Sequence, residues 1–229
     1  MEAPTVRHAE AELRLFAEGA AGETKDKILH AAFRRLAREG YAGLSMREIA
    51  KDAGVNHALI NYHFRTKDQL VIAVLDEANR QLIERQHRMY RAPGRFAEKW
   101  AAARRFYASD IASGFVRVQA ELWAASLSNA GLREKVLPRI QAWKRVVREG
   151  VDEALETLRQ GGVKLPPPFT AEVLACWISE FWLGMEWSNL LGDRRDQAQH
   201  RAALDAIQHL LEELDRRAAR HAGKRRGKS

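Results

Sequence analysis

The 229-residue chain has one cysteine, Cys176, so no disulfide can close within it, as suits a reducing compartment. No uninterrupted apolar run approaches the ~20 residues that a membrane-spanning helix needs. Behind Met1-Glu2-Ala3-Pro4 there is neither a basic stretch nor an apolar one, so no secretory signal is expected and the protein should be cytoplasmic. Common catalytic motifs are also missing: there is no H-E-x-x-H, C-x-x-C, G-x-S-x-G or G-x-G-x-x-G. Gly227-Lys228-Ser229 echoes a phosphate-binding loop, but Ala222 stands where its first glycine would be. The eight histidines lack metal-ligand spacing. Neither an enzyme, a cofactor nor a bound metal is expected.

What the chain does have is positive charge, +8 in all, and its location matters. Residues 216–229 hold seven Lys or Arg and no acid, whereas residues 24–68 hold nine against five. Residues 1–23 run the other way, with two against five. A basic tail is either a solvated, disordered end or a further contact to nucleic acid. Charge alone decides nothing.

Helical periodicity is everywhere, and no period-two run is bounded by hairpin turn signals. Val6, Ala9, Leu13, Phe16 and Ala20 outline either a short amphipathic leader helix or a frayed extension. Thr24 can cap a helix that buries Ile28, Ala31, Ala32, Leu36 and Ala37 and closes at Gly40. Ser45 and Glu48 have capping-box spacing, as do Thr66 and Gln69. Asn56 can cap a short helix through Phe64, and a long one follows from Lys67 to about Arg91, stopped by Pro93-Gly94. Further helices are expected near 95–110, 112–129, 132–160, 170–191 and 196–221. The fold class is therefore all-α, with about nine or ten helices.

Residues 45–64, SMREIAKDAGVNHALINYHF, carry the most specific signal. Two short helices meet at Gly54, where glycine allows a left-handed or close-packed turn. Ala50 leaves room for the second helix to cross, while Ile49, Val55, Ile60 and Phe64 point to a small core. This is helix-turn-helix spacing, in which the second helix enters the major groove of DNA.

Segment 24–75 resembles the DNA-binding domain of TetR-family transcriptional regulators. The likeness covers the first helix with its I-L-x-A-A spacing and Gly40-Tyr41, the whole helix-turn-helix, and the junction Tyr62, His63, Phe64, Lys67 and Leu70. Residues 116–145 and 177–192 bear a looser likeness to the betaine/choline-type branch, one that assigns no ligand. The resemblance implies an N-terminal extension (1–23), a DNA-binding domain (24–68), a ligand-binding and dimerisation domain (69–221) and a basic disordered tail (222–229). It also implies a homodimer formed through helices 170–191 and 196–221, with Leu204, Ile207, Leu211 and Leu214 on the second.

Carried over residue by residue, the family's DNA contacts fall on His57, Ala58, Leu59, Asn61, Tyr62 and His63, with Arg47 before them and Lys67 after. Asn56, the cap of that helix, is counted with them. The chemistry fits. Lys67 near a helix N-terminus suits a phosphate oxygen. His57 and Asn61 lie four apart on one face, where asparagine can bond adenine and histidine can donate to guanine acceptors. Ala58 and Leu59 offer apolar contact to thymine methyls, unless Leu59 turns inward. Tyr62 and His63 either reach phosphates or serve packing and the helix end. Asn61 departs from the tyrosine common at that family position.

All six tryptophans lie at or beyond position 100, and 170–191 is apolar almost all round, which implies burial on more than one side. Gly184 there permits close helix approach or leaves space for ligand. Candidate pocket residues are Trp100, Phe106, Tyr107, Phe115, Trp123, Trp143, Trp177 and Phe181, with Glu121 and Glu180 as polar anchors that would suit a cation. These aromatics equally suit a plain core, and the glutamates could instead pair with arginine or face solvent. The expected function is a repressor released from a pseudo-palindromic operator by a small molecule. An activator of the same fold and an architectural, charge-driven DNA-binding protein remain as alternatives.

Overall fold

The computed structural model describes residues 24–92, 94–192 and 194–226, so the expected leader lies outside the described residues. Among them are nine helices: α1 Thr24–Gly43, α2 Met46–Ala53, α3 His57–His63, α4 Lys67–Arg91, α5 Phe96–Ala112, α6 Phe115–Ser128, α7 Ala130–Gln160, α8 Ala171–Leu191 and α9 Arg194–Arg226. No strand occurs among the described residues. The protein is all-α. The described residues form two compact units, one within 24–82 and 107–140 and the other within 83–106 and 141–226.

In the first unit, α1 buries Ile28, Leu29, Ala31, Ala32, Phe33 and Leu36, a stripe at helical spacing. That stripe packs against α2 and α6, and α2 packs against α3. Leu70, Val71, Val74, Leu75 and Ala78 of α4 join the same unit as buried residues, as do Phe115, Val116, Val118 and Leu122 of α6. The first helix does not close at Gly40. It kinks there, at φ 72° and ψ 179°, and continues to Gly43.

In the second unit, Val147 and Val151 of α7 pack on Ala171 and Ala175 of α8, flanked by Trp143, Leu155, Leu174 and Ile178. The Trp100 and Trp182 rings lie 5.4 Å apart, and the Trp100 indole N–H donates to the Leu204 carbonyl at 3.2 Å. Asp215 on α9 accepts the backbone N–H of Ala97 at 3.1 Å, which caps the free amides at the start of α5. Helix α9 runs to Arg226, through five residues expected to be a disordered tail. Alanine, arginine and lysine dominate that stretch and no proline interrupts it, so helix propensity carries it on.

Within the single chain, α8 and α9 leave part of their apolar surface uncovered. Helix α8 is buried on one side only within the chain, through Ala171, Ala175, Ser179, Trp182 and Met185. Trp177 (58% exposed), Trp187, Leu190 and Leu191 are exposed. On α9, Leu204 is buried, and Ile207, Leu211 and Leu214 are half-buried in the single chain. Leu210 is the large apolar residue of α9 that stands exposed.

Candidate nucleic-acid interface

Helix α3 begins where Asn56 turns its side-chain oxygen onto the Ala58 N–H at 2.9 Å. Only Ile60 of its seven residues is buried, at 0% exposure, and Phe64 just after it closes the small core. His57, Ala58, Leu59, Asn61, Tyr62 and His63 all face outward, Leu59 at 41% and Tyr62 at 80% exposure. Leu59 therefore does not turn inward. A helix held by a single buried side chain leaves most of its surface for a partner.

The turn before α3 fixes its direction. Gly54 adopts φ 65° and ψ 32°, its N–H reaching the Lys51 carbonyl at 3.2 Å, while the Val55 N–H reaches Ala50 at 3.0 Å. This pair of reversed bonds closes the end of α2 as a Schellman motif. A Cβ at Gly54 would meet nothing within 4 Å. Glycine is needed here for its backbone angle, not for close packing.

At the start of α2, by contrast, the expected capping box does not form. The Ser45 side chain makes no capping bond, and Glu48 turns instead to Arg35 on α1, at 2.6 Å. For the Glu48 carboxylate, a cationic guanidinium is a stronger partner than an uncharged backbone N–H. Arg35 also engages Asp52 and Glu39, so it pins α2 to α1. The Arg35 side chain holds the Asp52 carboxyl below the usual carboxylate range, chiefly by its hydrogen bonds. Local sequence patterns gave no sign of this cluster, because its members lie 13 and 17 residues apart. Arg47 lies exposed on α2.

The second capping box forms in part, its return bond reaching the residue before the cap. Thr66 Oγ1 accepts the Gln69 N–H, and Gln69 Oε1 accepts the Arg65 N–H, each at 3.1 Å. Lys67, the first residue of α4, sets its Nζ 4.4 Å from the centroid of the Tyr41 ring. Burial pushes the Lys67 ammonium down, and neighbouring Asp68 pulls it back up. The Tyr41 hydroxyl donates to Asp68 Oδ1, and burial together with that bond pushes the phenol up to about 12. On α3, Asn61 Nδ2 lies 3.4 Å from His57 Nδ1, so the two polar heads meet on the exposed face.

The candidate ligand residues are divided between the two units. Tyr107, Phe115, Glu121 and Trp123 belong to the first unit, and Trp100, Phe106, Trp143, Trp177, Glu180 and Phe181 to the second. Phe115 is core, and Trp123 is half-buried. Glu121 Oε2 accepts the backbone N–H of Tyr41 at 3.1 Å, a partner in α1. In the second unit, Trp100, Trp143 and Phe181 are half-buried among other apolar groups, whereas Trp177 is exposed beside Phe169. Phe106 carries the Arg85 guanidinium 4.3 Å above its ring, and Glu180 pairs at the surface with Lys144. A cleft does open in the second unit, but Glu84, His87, Arg88, Arg91 and Ala92 line it.

Residues 28–74, which span α1 to α4 and so the whole exposed reading face, match the model of the bacterial regulatory proteins of the tetR family. Over these residues the chain carries a domain of the tetR-family type. Curated relatives match over a short part of the chain. An HTH-type transcriptional repressor of Mycobacterium tuberculosis is 46% identical over 65 residues, 28% of this chain and 35% of the repressor. The match thus spans about a third of that relative's length. Solved structures of transcriptional regulators extend the likeness of fold over most of the chain. FadR of Bacillus subtilis, solved in complex with stearoyl-CoA, has a TM-score of 0.63 at 23% identity, covering 81% of this chain and 96% of FadR. A regulator from Saccharomonospora viridis, solved in complex with choline, has a TM-score of 0.62 at 21% identity, covering 82% and 93%. Among the described residues no helix is long and apolar enough to cross a membrane.

Proposed function

We propose that this chain is a sequence-specific, DNA-binding transcription regulator of double-stranded DNA, a homodimer whose two α3 helices enter successive major grooves of a pseudo-palindromic operator. The observation that carries it is the outward face of α3: six of seven residues project from a helix anchored by Ile60 alone. His57 and Asn61 would read base edges, Ala58 and Leu59 would meet thymine methyls, and Tyr62 and His63 would reach phosphates with Arg47 and Lys67. Asn56 orients the helix start. In this scheme residues 24–68 read DNA, and residues 69–221 dimerise and take a small-molecule effector.

The exposed side of α8 supports the dimer. Trp177, Gly184, Trp187 and Leu191 share that side, and nothing lies within 4 Å of a Cβ built at Gly184. Aromatics beside a bare glycine suit close packing against a second copy. The scheme further takes the protein to be a cytoplasmic repressor. Effector binding would alter α4, which runs out of the matched domain, and so change the spacing of the two reading heads. The molecules bound in the solved neighbours, stearoyl-CoA in FadR and choline in the S. viridis protein, differ too much in chemistry to fix an effector here.

Selection of bound fragments from randomised or genomic DNA, at near-physiological salt, tests this. Recovery of one inverted repeat is the expected result. Unrelated fragments, with affinity collapsing as salt rises, would instead mark charge-driven architectural binding.

A further inference from the structure

We propose that Tyr41 is a positioning residue for the phosphate-binding Lys67, and that Glu121 on α6 is the residue that sets Tyr41. The inference rests on the DNA-binding role given to Lys67 above.

One phenol serves both residues that open α4. The Tyr41 ring lies 4.4 Å beneath the Lys67 ammonium, and its hydroxyl donates to Asp68. A lysine side chain has four rotatable bonds, and ordering it on binding costs affinity. Holding the ammonium over an aromatic face before DNA arrives removes part of that cost. Occupying the Asp68 oxygen with a neutral donor also gives that carboxylate a partner other than its cationic neighbour.

Tyr41 is in turn held from outside the matched domain. Glu121 lies 80 residues further on, in α6, and accepts the Tyr41 N–H at 3.1 Å. Its carboxylate occupies the space beside Gly40, where an added Cβ would come within 2.5 Å. Gly40 is where α1 kinks, at φ 72°, so the short segment carrying Tyr41 is not fixed by regular helix bonds alone. A displacement of α6 would therefore be felt at Tyr41, and through its ring at Lys67. Glu121, a candidate ligand anchor by its residue type, is placed by this geometry at the junction.

The test measures Kd against salt, for the full-length protein, on the selected duplex and on an unrelated duplex. The variants are Tyr41→Phe, Tyr41→Leu, Glu121→Ala and Lys67→Ala, with each of the first three also combined with Lys67→Ala. Tyr41→Leu and Glu121→Ala should weaken both duplexes by the same factor, several-fold, without changing base preference. Neither should weaken the Lys67→Ala protein further, and Tyr41→Phe, which keeps the ring, should fall between wild type and Tyr41→Leu. Losses that multiply in the double variants would overturn the proposal, as would wild-type affinity in Tyr41→Leu or Glu121→Ala. Should Tyr41→Leu melt below the assay temperature, the Glu121→Ala and Tyr41→Phe combinations decide in the same way. Failure of the wild type to bind either duplex would overturn the DNA-binding reading and this inference together; binding with multiplicative losses would overturn this inference alone.

Discussion

Arg35 on α1 holds Asp52 on α2 through two parallel hydrogen bonds, Nε to Oδ2 at 2.7 Å and Nη2 to Oδ1 at 3.1 Å. Guanidinium and carboxylate match in this forked geometry, which a lysine could not reproduce. The pair joins two helices whose crossing sets the direction of α3. Its consequences are measurable.

The first concerns pH. The folded state holds the Asp52 carboxyl below its ordinary value. Its stabilising contribution is therefore complete above the unfolded carboxylate pKa and is lost as pH falls through the lower folded one. Asp52→Asn should lower the melting temperature near neutral pH. The two melting curves should converge as pH drops below the ordinary carboxylate range. A difference that persists unchanged in acid would show that the pair does not titrate as argued.

Glycine substitutions separate two kinds of constraint. Gly54→Ala should cost about 1–2 kcal/mol from left-handed strain alone, since space is free around it. Gly40→Ala should cost more, because the new methyl also displaces Glu121 from the Tyr41 N–H. Adding Glu121→Ala to Gly40→Ala should then bring little further loss. Denaturant titrations of the three variants check the ordering.

Ile60 is the single buried anchor of α3. Ile60→Ala should destabilise the protein by about 2–5 kcal/mol, within the range for large-to-small core changes. DNA binding should weaken on every sequence, because the helix loses its seat rather than its contacts. Retained affinity with an unchanged melting temperature would mean that α3 is held some other way.

Base reading and phosphate anchoring should respond differently. His57→Ala and Asn61→Ala should each cost about 1–3 kcal/mol on the preferred sequence and relax preference at one position. Lys67→Ala should weaken all sequences alike and reduce the salt slope by about one per bound protomer. Equal losses on every duplex from all three variants would remove the distinction between readers and anchors.

Self-association can be tested on α8. Trp177 and Trp187 both present surface to solvent in the single chain, so replacing both with Ser should lower its melting temperature only modestly, mainly through the lost contact with Phe169. Sedimentation should nevertheless show a shift from dimer towards monomer. An unaltered dimer would place the contact on another surface.

Much of this protein is legible in residue spacing. Helix-period burial, the Gly54 turn, the Asn56 cap and the Thr66/Gln69 box are local, each set by residues within a few positions of one another. Local rules act in the same way wherever the segment sits, so they can be read without the fold. The Ser45/Glu48 box shows where such rules stop: the spacing was right, but Arg35, 13 residues back, took the glutamate. Glu121 beside Tyr41, Lys67 over the Tyr41 ring, and Leu204 turned inward while Trp177 stays exposed were likewise decided by packing. Those contacts join residues brought together only when helices cross, and a helix's periodicity states which residues share a face but not what that face will meet.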